Sequence, residues 1–544
     1  MVSTMKQTDV LIIGGGPVGL ALACDLGWRG VRCTVVDETT EDYQLPDSRI
    51  NLANTRTLEF FRRWGFESEV RGVPFPPDFP MSIAFVTSLQ GRLIGKLDYP
   101  SMGAAGEHPA SPTNRQRIPQ PWLDPILRHA AVGFESVDLR WHTRFVSLEQ
   151  DAEGVTATLE HLADGSQQTI RAKYLIACDG ARSPVRQQLG VDMLGDSFIG
   201  MTHSIYFKSP EMWKLHDKGK AAMMMFLDEQ GLWAVLNVVD GRETWRLSVA
   251  GGKQYVPAEQ IDAPAMLRSM MGGDFQFEIY GVSPWVRRAV VAEHFVQGRC
   301  FLVGDAAHQL TPTGGFGMNT GIGEAVDIGW KLAAVLQGWG GEQLLASYEA
   351  ERQPIAQRNV REATANAEKL LSLPSFPWID QPGLVNGLKR KILGKRFAES
   401  TRAEWESDGV VLGYRYDPSP ICIADGSAPT PDDPGRYLPS ARPGSRAPHA
   451  WLAPGKSTLD LFGRGFVLLD FGAPHADVAA LQEAAQQAGL PLQREAIGDS
   501  HIAKLYERKL VLVRPDGHVA WRGDRLDRDA AQIVDVVRGA RSEP

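Results

Sequence analysis

Val10-Leu11-Ile12-Ile13-Gly14-Gly15-Gly16-Pro17-Val18-Gly19-Leu20-Ala21-Leu22-Ala23 sets an apolar run, a glycine turn and a helix-like segment in immediate succession. A short apolar run closed by glycines reads as a buried strand. Gly14 then permits the tight turn, Gly16 lets the backbone approach a pyrophosphate, and Gly19 lets the helix lie close on the strand. The helix N-terminus behind the turn offers amides and the positive end of a dipole to negative charge. A second strand, Cys33-Thr34-Val35-Val36, ends at Asp37, close to where a carboxylate would hold a ribose hydroxyl. These residues predict a βαβ unit that binds the adenosine half of a dinucleotide. Residues 9–26 are apolar, but Asp9, Asp25, the glycines and Pro17 make them a fold core rather than a signal peptide. No run of apolar residues is long enough to predict a transmembrane span.

The remaining composition narrows the class. At 544 residues the chain is too long for one core, and its 43% hydrophobic and 22% charged residues are those of a globular protein with several domains. A formal net charge of -8, with no cluster of Lys and Arg, argues against a nucleic-acid surface. Cys24, Cys33, Cys178, Cys300 and Cys422 are scattered and form no Cys-x-x-Cys pair, which suggests a reducing compartment, a cytoplasmic location and no bound metal.

Two later fragments fit the ligand of the first. Tyr174-Leu175-Ile176-Ala177-Cys178 leads into Asp179-Gly180-Ala181-Arg182-Ser183-Pro184, and Cys300-Phe301-Leu302-Val303 leads into Gly304-Asp305-Ala306-Ala307-His308. A carboxylate ending a buried strand can accept from the hydroxyls of a ribityl chain, which is the role expected of Asp305. Pro312-Thr313-Gly314-Gly315-Phe316-Gly317-Met318-Asn319 precedes a helix, so its amides can stabilise negative charge on a flavin edge. Together the fragments predict FAD. His308 reads as a packing or hydrogen-bonding residue, and Lys331 as a solvated or capping charge. The nucleotide domain is discontinuous, covering 1–73, 113–194 and 289–372, with a helix at Thr55–Trp64. Residues 74–112 and 195–288 are strand-rich and predict a substrate-binding sheet; 373–448 hold a helical segment and a proline-rich linker. Residues 449–544 alternate strands and helices in a last unit.

In these motifs the chain resembles the single-component, class A flavin aromatic hydroxylases, with the layout of phenol hydroxylase, 2,4-dichlorophenol 6-monooxygenase and 3-(3-hydroxyphenyl)propionate hydroxylase. The resemblance implies an α/β fold: a Rossmann-like FAD domain of the para-hydroxybenzoate hydroxylase type, an inserted β-sheet domain, and a C-terminal thioredoxin-like domain lacking Cys-x-x-Cys. By matching motifs it assigns FAD contacts to Gly14, Gly16, Gly19, Asp37, Arg49, Gln120, Asp179, Asp305, Pro312, Gly315, Gly317, Met318 and Asn319. It implies a flavoprotein monooxygenase in which NADH or NADPH reduces FAD, O2 adds at flavin C4a, and the hydroperoxide passes one oxygen to an electron-rich ring. The substrate expected is a phenol or, alternatively, a larger aromatic polyketide or pyridinol; a non-catalytic FAD-binding protein is the further alternative, and a homo-oligomer is expected. Some phenol-hydroxylating relatives carry a His two residues after the conserved Arg, where this chain has Asn51, which takes no proton at neutral pH. Tyr206, His203 and Asp228 are the other candidates to act on the substrate proton, with water or a substrate that needs no base as the alternatives, and with Pro312 beside the reacting centre. The pocket is expected between the sheet and the flavin loop, lined by Met223, Met225, Trp233 and Leu236.

Overall fold

A computed structural model describes residues 6–41, 52–371 and 375–541; Arg49 and Asn51 lie outside the described residues. The strand Lys6–Ile13 sits centrally in a sheet between Gln167–Ala177 and Cys33–Val36, with Cys300–Leu302 beyond the former and Val137–Arg140 beyond the latter. These pairings are parallel, and Ile13 is in register with both Ala177 and Val36, while Ala177 is in register with Leu302. The register explains how fragments far apart in sequence serve one ligand. Each strand ends at the same carboxyl edge, so Gly14, Asp37, Asp179 and Gly304 emerge side by side, as a doubly wound sheet requires.

The second sheet runs His308–Gln309, Glu278–Ala292, Met193–Lys208, Thr244–Ala250, Gly231–Val238, Met223–Asp228, Ile83–Val86, Leu93–Leu97. It is antiparallel except where Met223–Asp228 meets Ile83–Val86. Alternation divides it into two faces. Ile205, Phe207, Phe226, Leu236, Trp245 and Leu247 fill one core with Leu267 and Met270 of the helix Ala263–Met271. The opposite face gives Ile83, Phe85 and Met225 to a smaller cluster with Phe376, Ile379 and Phe397. Phe397 belongs to the helix Leu384–Trp405, a 22-residue element inside the segment between the nucleotide domain and the last unit. Its Gly394 lies so close to strand Leu93–Leu97 that a Cβ there would stand 2.0 Å from the Ile94 carbonyl oxygen.

The last unit has strands ordered Leu492–Ala496, Phe466–Asp470, Leu510–Val513, Val519–Gly523, with helices His475–Gln487, Ser500–Tyr506 and Ala530–Val537. It does not hang free. Trp330, Trp339 and Leu344 of the nucleotide domain share one apolar cluster with Phe466, Leu468, Leu512 and Trp521. Beside that cluster Arg514 donates to Glu351 at 2.6 and 2.9 Å, to Asp327 at 3.2 Å and to Asp516 at 2.8 Å. Lys331 is the second cation of this group, 2.7 Å from both Asp327 and Glu351 and fully buried. The expectation of a solvated Lys331 is therefore corrected: its partners lie 4 residues away on its own helix and on one other helix, and without them the ammonium could not be buried. Burial alone would raise the Glu351 carboxyl, but Arg514 and Lys331 bring it down to about 2. Glu59 and Arg446 form another buried pair across the same seam.

All five cysteines are free thiols; Cys24, Cys33, Cys300 and Cys422 are buried and Cys178 half-buried. Burial pushes the Cys33 and Cys300 thiols up to about 12 and raises the other three as well. Among the described residues no helix is long and apolar enough to cross a membrane, and no cluster of His, Cys, Asp and Glu could hold a metal ion.

Candidate active site

At the carboxyl edge the glycines divide by what surrounds them. Gly14 has φ +105°, and a Cβ there would meet the Cys178 carbonyl oxygen at 2.3 Å; one on Gly19 would stand 2.0 Å from the Gly14 oxygen. These two are demanded by packing. Gly16 has nothing within 4 Å of a Cβ position, so the backbone there faces open space at the start of the helix Pro17–Trp28, which has no side-chain cap. Uncapped amides at an open helix start suit a phosphate. Asp37 accepts from the Gly15 amide at 2.6 Å and the Thr39 amide at 2.8 Å, fixing its carboxylate against the turn with acceptor capacity to spare.

Asp179 accepts from the Val185 amide at 3.1 Å through Oδ2, whereas Oδ1 is buried without a partner among the described residues. Burial raises its pKa to about 6 against the opposing hydrogen bonds from Ser183 and Val185. A buried carboxylate oxygen left open beside the glycine turn is what a hydroxyl donor of a ligand would complete. The neighbouring turn is held from behind: Glu324 accepts from the Gly304 amide at 2.8 Å and lies 2.7 Å from His308 Nε2, both side chains fully buried. His308 and Glu324 thus serve the turn, and Asp305, on that turn, is exposed at the edge. The flavin loop ends in the helix Gly317–Leu336; Gly315 and Gly317 have open space at their Cβ positions, with Pro312 and Gly315 exposed. The open glycines, the orphaned Asp179 oxygen and the exposed Asp305 form one cradle that fits the pyrophosphate, polyol and ring of FAD.

Asn319 is placed otherwise than as a simple backbone contact. Its Oδ1 accepts from the Asn54 amide at 2.9 Å and Thr57 Oγ1 at 2.7 Å, and its Nδ2 donates to Leu52 and Gly315 carbonyls at 3.1 and 2.7 Å. The side chain is a clamp between the flavin loop and the helix Thr55–Trp64. Gln120 is buried at the start of the helix Gln120–Val132 and donates to Asp124 at 3.1 Å.

Across the edge, register places Met223, Asn237, Arg246 and Tyr206 in one cross-strand row of the second sheet, on a single face. The helix Leu384–Trp405 packs on this face, and its Glu404 accepts from the flavin-loop Gly314 amide at 3.2 Å. Burial raises the Glu404 carboxyl to about 7 against the opposing hydrogen bond from the Gly314 amide. Met223 and Met225 are on this side; Leu236 is not. Leu236 is 1% exposed inside the core of the opposite face, because the strand alternates, and it is removed from the expected pocket lining. Trp233 also turns to that core, its ring 5.8 Å from Phe226, at an irregularity in the strand pairing. Among the other proton-handling candidates, Asp228 is exposed and caps its own turn by accepting from the Gln230 amide at 2.7 Å. His203 is in register with Val249 and Pro284, one residue out of step with the Tyr206 face, and neither ring nitrogen has a partner among the described residues. Arg117, before the helix that opens at Gln120, donates to the Val238 carbonyl, and burial together with Arg246 lowers its pKa to about 9. Arg246, Arg117 and Glu404 were absent from the sequence expectations. The alternation Trp245-Arg246-Leu247-Ser248-Val249 carried a signal for the first, a charge on the polar face of a strand; Glu404 had none.

The family described as "FAD binding domain" matches residues 7–363, and "Aromatic-ring hydroxylase, C-terminal" matches residues 440–544. The chain is 34% identical to a putative polyketide hydroxylase of Streptomyces halstedii, covering 95% of this chain and 94% of the relative. It is 32% identical to 2,4-dichlorophenol 6-monooxygenase of Delftia acidovorans, covering 96% of each. The solved structure of RebC soaked with chromopyrrolic acid and holding 7-carboxy-K252c superposes with a TM-score of 0.92 at 39% identity, over 99% of this chain and 100% of that one. With the nucleotide edge, the roofing sheet and the C-terminal unit all matched, this chain belongs to the class A FAD-dependent aromatic-ring hydroxylases and is a flavoprotein monooxygenase.

Proposed function

We propose that the chain hydroxylates an electron-rich phenolic ring, consuming NADH or NADPH and O2, with the phenol oxygen held as an anion by Arg246. The observation that carries this reading is the row Tyr206–Arg246–Asn237 on the sheet face that meets the flavin loop through Glu404. Bound FAD, once reduced by the nicotinamide, supplies the activated oxygen. Gly14, Gly16, Gly19 and Asp37 would hold its adenosine and pyrophosphate, Asp179 and Asp305 its polyol, and the loop Pro312–Asn319 its ring, with Arg49 as a phosphate contact. Amides of that loop stabilise negative charge on the pyrimidine edge.

An ordinary phenol has a pKa of ~10. A guanidinium within hydrogen-bonding distance favours the phenolate, so a cation performs what a base at Asn51 cannot. Arg117, already lowered to about 9 by burial and Arg246, adds positive potential to the same region. Tyr206, in the same row, would donate to the resulting oxyanion, and the sheet would shield the ring from water.

Relatives named for chlorophenols and for polyketides bracket the substrate size, so the test uses phenols from one to four rings. NAD(P)H oxidation should accelerate only with an effective phenol, and the product should gain one oxygen from 18O2. Label arriving from water, or a rate indifferent to every phenol, overturns the reading. Arg246→Gln should move the pH optimum of kcat/KM upward, toward the free phenol; an unmoved optimum removes Arg246 from this role.

A further inference from the structure

A cavity of about 180 Å³ lies between the helix Thr55–Trp64 and the C-terminal unit; among the described residues Trp28, Arg56, Arg63, Leu459 and Phe462 contribute to its lining. It stands at the C-terminal end of the helix Pro17–Trp28, about 18 Å along that helix from the nucleotide edge. It is therefore separate from the site already described.

Its charges do not balance. Arg56 is 2.7 Å from Glu59, a carboxylate that Arg446 also uses, and Arg62 is 2.8 Å from Asp460. That leaves Arg63, a half-buried residue of the lining with no ion pair among the described residues, its Nε and Nη1 closed off from solvent and without a hydrogen-bond partner there. Burial, then Arg56 and Arg29, lowers its pKa to about 10 against the weaker opposing effect of Asp25 and Asp516. A guanidinium withdrawn from water and crowded by other cations is stabilised by an anion placed beside it. The rest of the wall is apolar, from Trp28, Pro112, Leu459 and Phe462. A cavity of about 150 Å³ suffices for benzene, so this one has room for a single ring and a small polar group.

We propose that this cavity binds a small aromatic carboxylate, its charge on Arg63 and its ring against Trp28, Leu459 and Phe462. The site draws residues from both the nucleotide domain and the C-terminal unit, so an occupant braces one against the other and binds the folded chain alone.

The test uses the full-length, FAD-loaded protein and benzoate, titrated by calorimetry at constant chloride, with inorganic phosphate as a parallel probe. Saturable binding at one site is expected, with an unchanged flavin absorption spectrum and a raised Tm. Arg63→Gln should weaken it about tenfold or more, the loss of one charge-assisted hydrogen bond. Leu459→Trp, which fills the cavity without touching the charge, should do the same and decides the matter if Arg63→Gln fails to fold. Absence of saturable binding, equal affinity in both variants, or a flavin spectrum that changes along the benzoate isotherm overturns the proposal. Binding of phosphate with no binding of benzoate overturns it equally.

Discussion

The nucleotide edge and the seam beneath the C-terminal unit both bury carboxylates, and they differ in whether each oxygen finds a partner. At the seam Glu351 meets Arg514 and Lys331 and its carboxyl is brought down to about 2, while burial raises its neighbour Asp327 to about 7 against the same two cations. At the edge Asp179 keeps one oxygen without a partner and rises to about 6. Buried polar groups in a folded chain are normally satisfied. At the seam every oxygen of Asp327, Glu351 and Asp516 is met by a group of the same chain, so these carboxylates describe assembly. The edge leaves a group open, so it describes a ligand.

The sharpest way to break this contrast is to remove the C-terminal unit. Truncation after residue 440 exposes Trp330, Trp339 and Leu344 and strands Asp327, Lys331 and Glu351 without Arg514. The shortened chain should be insoluble or aggregated in size-exclusion chromatography, although the nucleotide fragments are intact. A soluble, FAD-binding fragment of unchanged assembly would show that the seam is dispensable.

Arg514→Met isolates the charge from the apolar cover. Removing one partner of a buried ion group costs about 3–5 kcal/mol, which chemical denaturation should register. A cost below about 1 kcal/mol would mean the group behaves like surface pairs.

Asp179→Asn should act with the opposite sign in the apoprotein. Because the folded pKa stands near 6 against an ordinary 3.8, the folded state favours the protonated form. Stability is thus lost as pH rises from about 4 to about 6, and stays lower above that range. The amide removes up to about 3 kcal/mol of this penalty at pH 8 and almost none at pH 4. Thermal scans of apoprotein at both values check it; a lower Tm for the variant at pH 8 contradicts the assignment.

The smallest effect is expected at the exposed rim. Asp305→Ala should weaken FAD retention by roughly 1.5–3 kcal/mol, the value of a hydrogen bond to a charged group, with the apoprotein Tm unmoved. Equal FAD affinity would remove Asp305 from the site.

What could be read beforehand follows the same division. The helix Thr55–Trp64 and the strand-turn-helix at Gly14 were legible because local residues determine them: glycines at the turn, Asn54 accepting from the Thr57 amide as a cap, Gly65 in the left-handed region at the end. The helix Leu384–Trp405 was legible only as a helical stretch of a linker. Leu384, Val385, Leu388 and Ile392 are exposed, so its apolar pattern does not mark the face that packs, and prolines precede it. Lys331 was misread for a related reason: the partners that bury it come from Glu351 and from a seam closed by Arg514. The Asn319 clamp joins residues 262 positions apart or more, a relation no local pattern encodes.

The state of the thiols bears on how long such a catalyst lasts. A flavin that activates oxygen without a bound phenol releases hydrogen peroxide, and peroxide attacks thiolates in proportion to their ionisation and access. Here every cysteine is held protonated by burial, Cys33 and Cys300 at about 12, including Cys178 immediately beside Asp179. The chain thus meets its own wasteful by-product with no thiolate on offer, and the residues left to be oxidised first are its methionines.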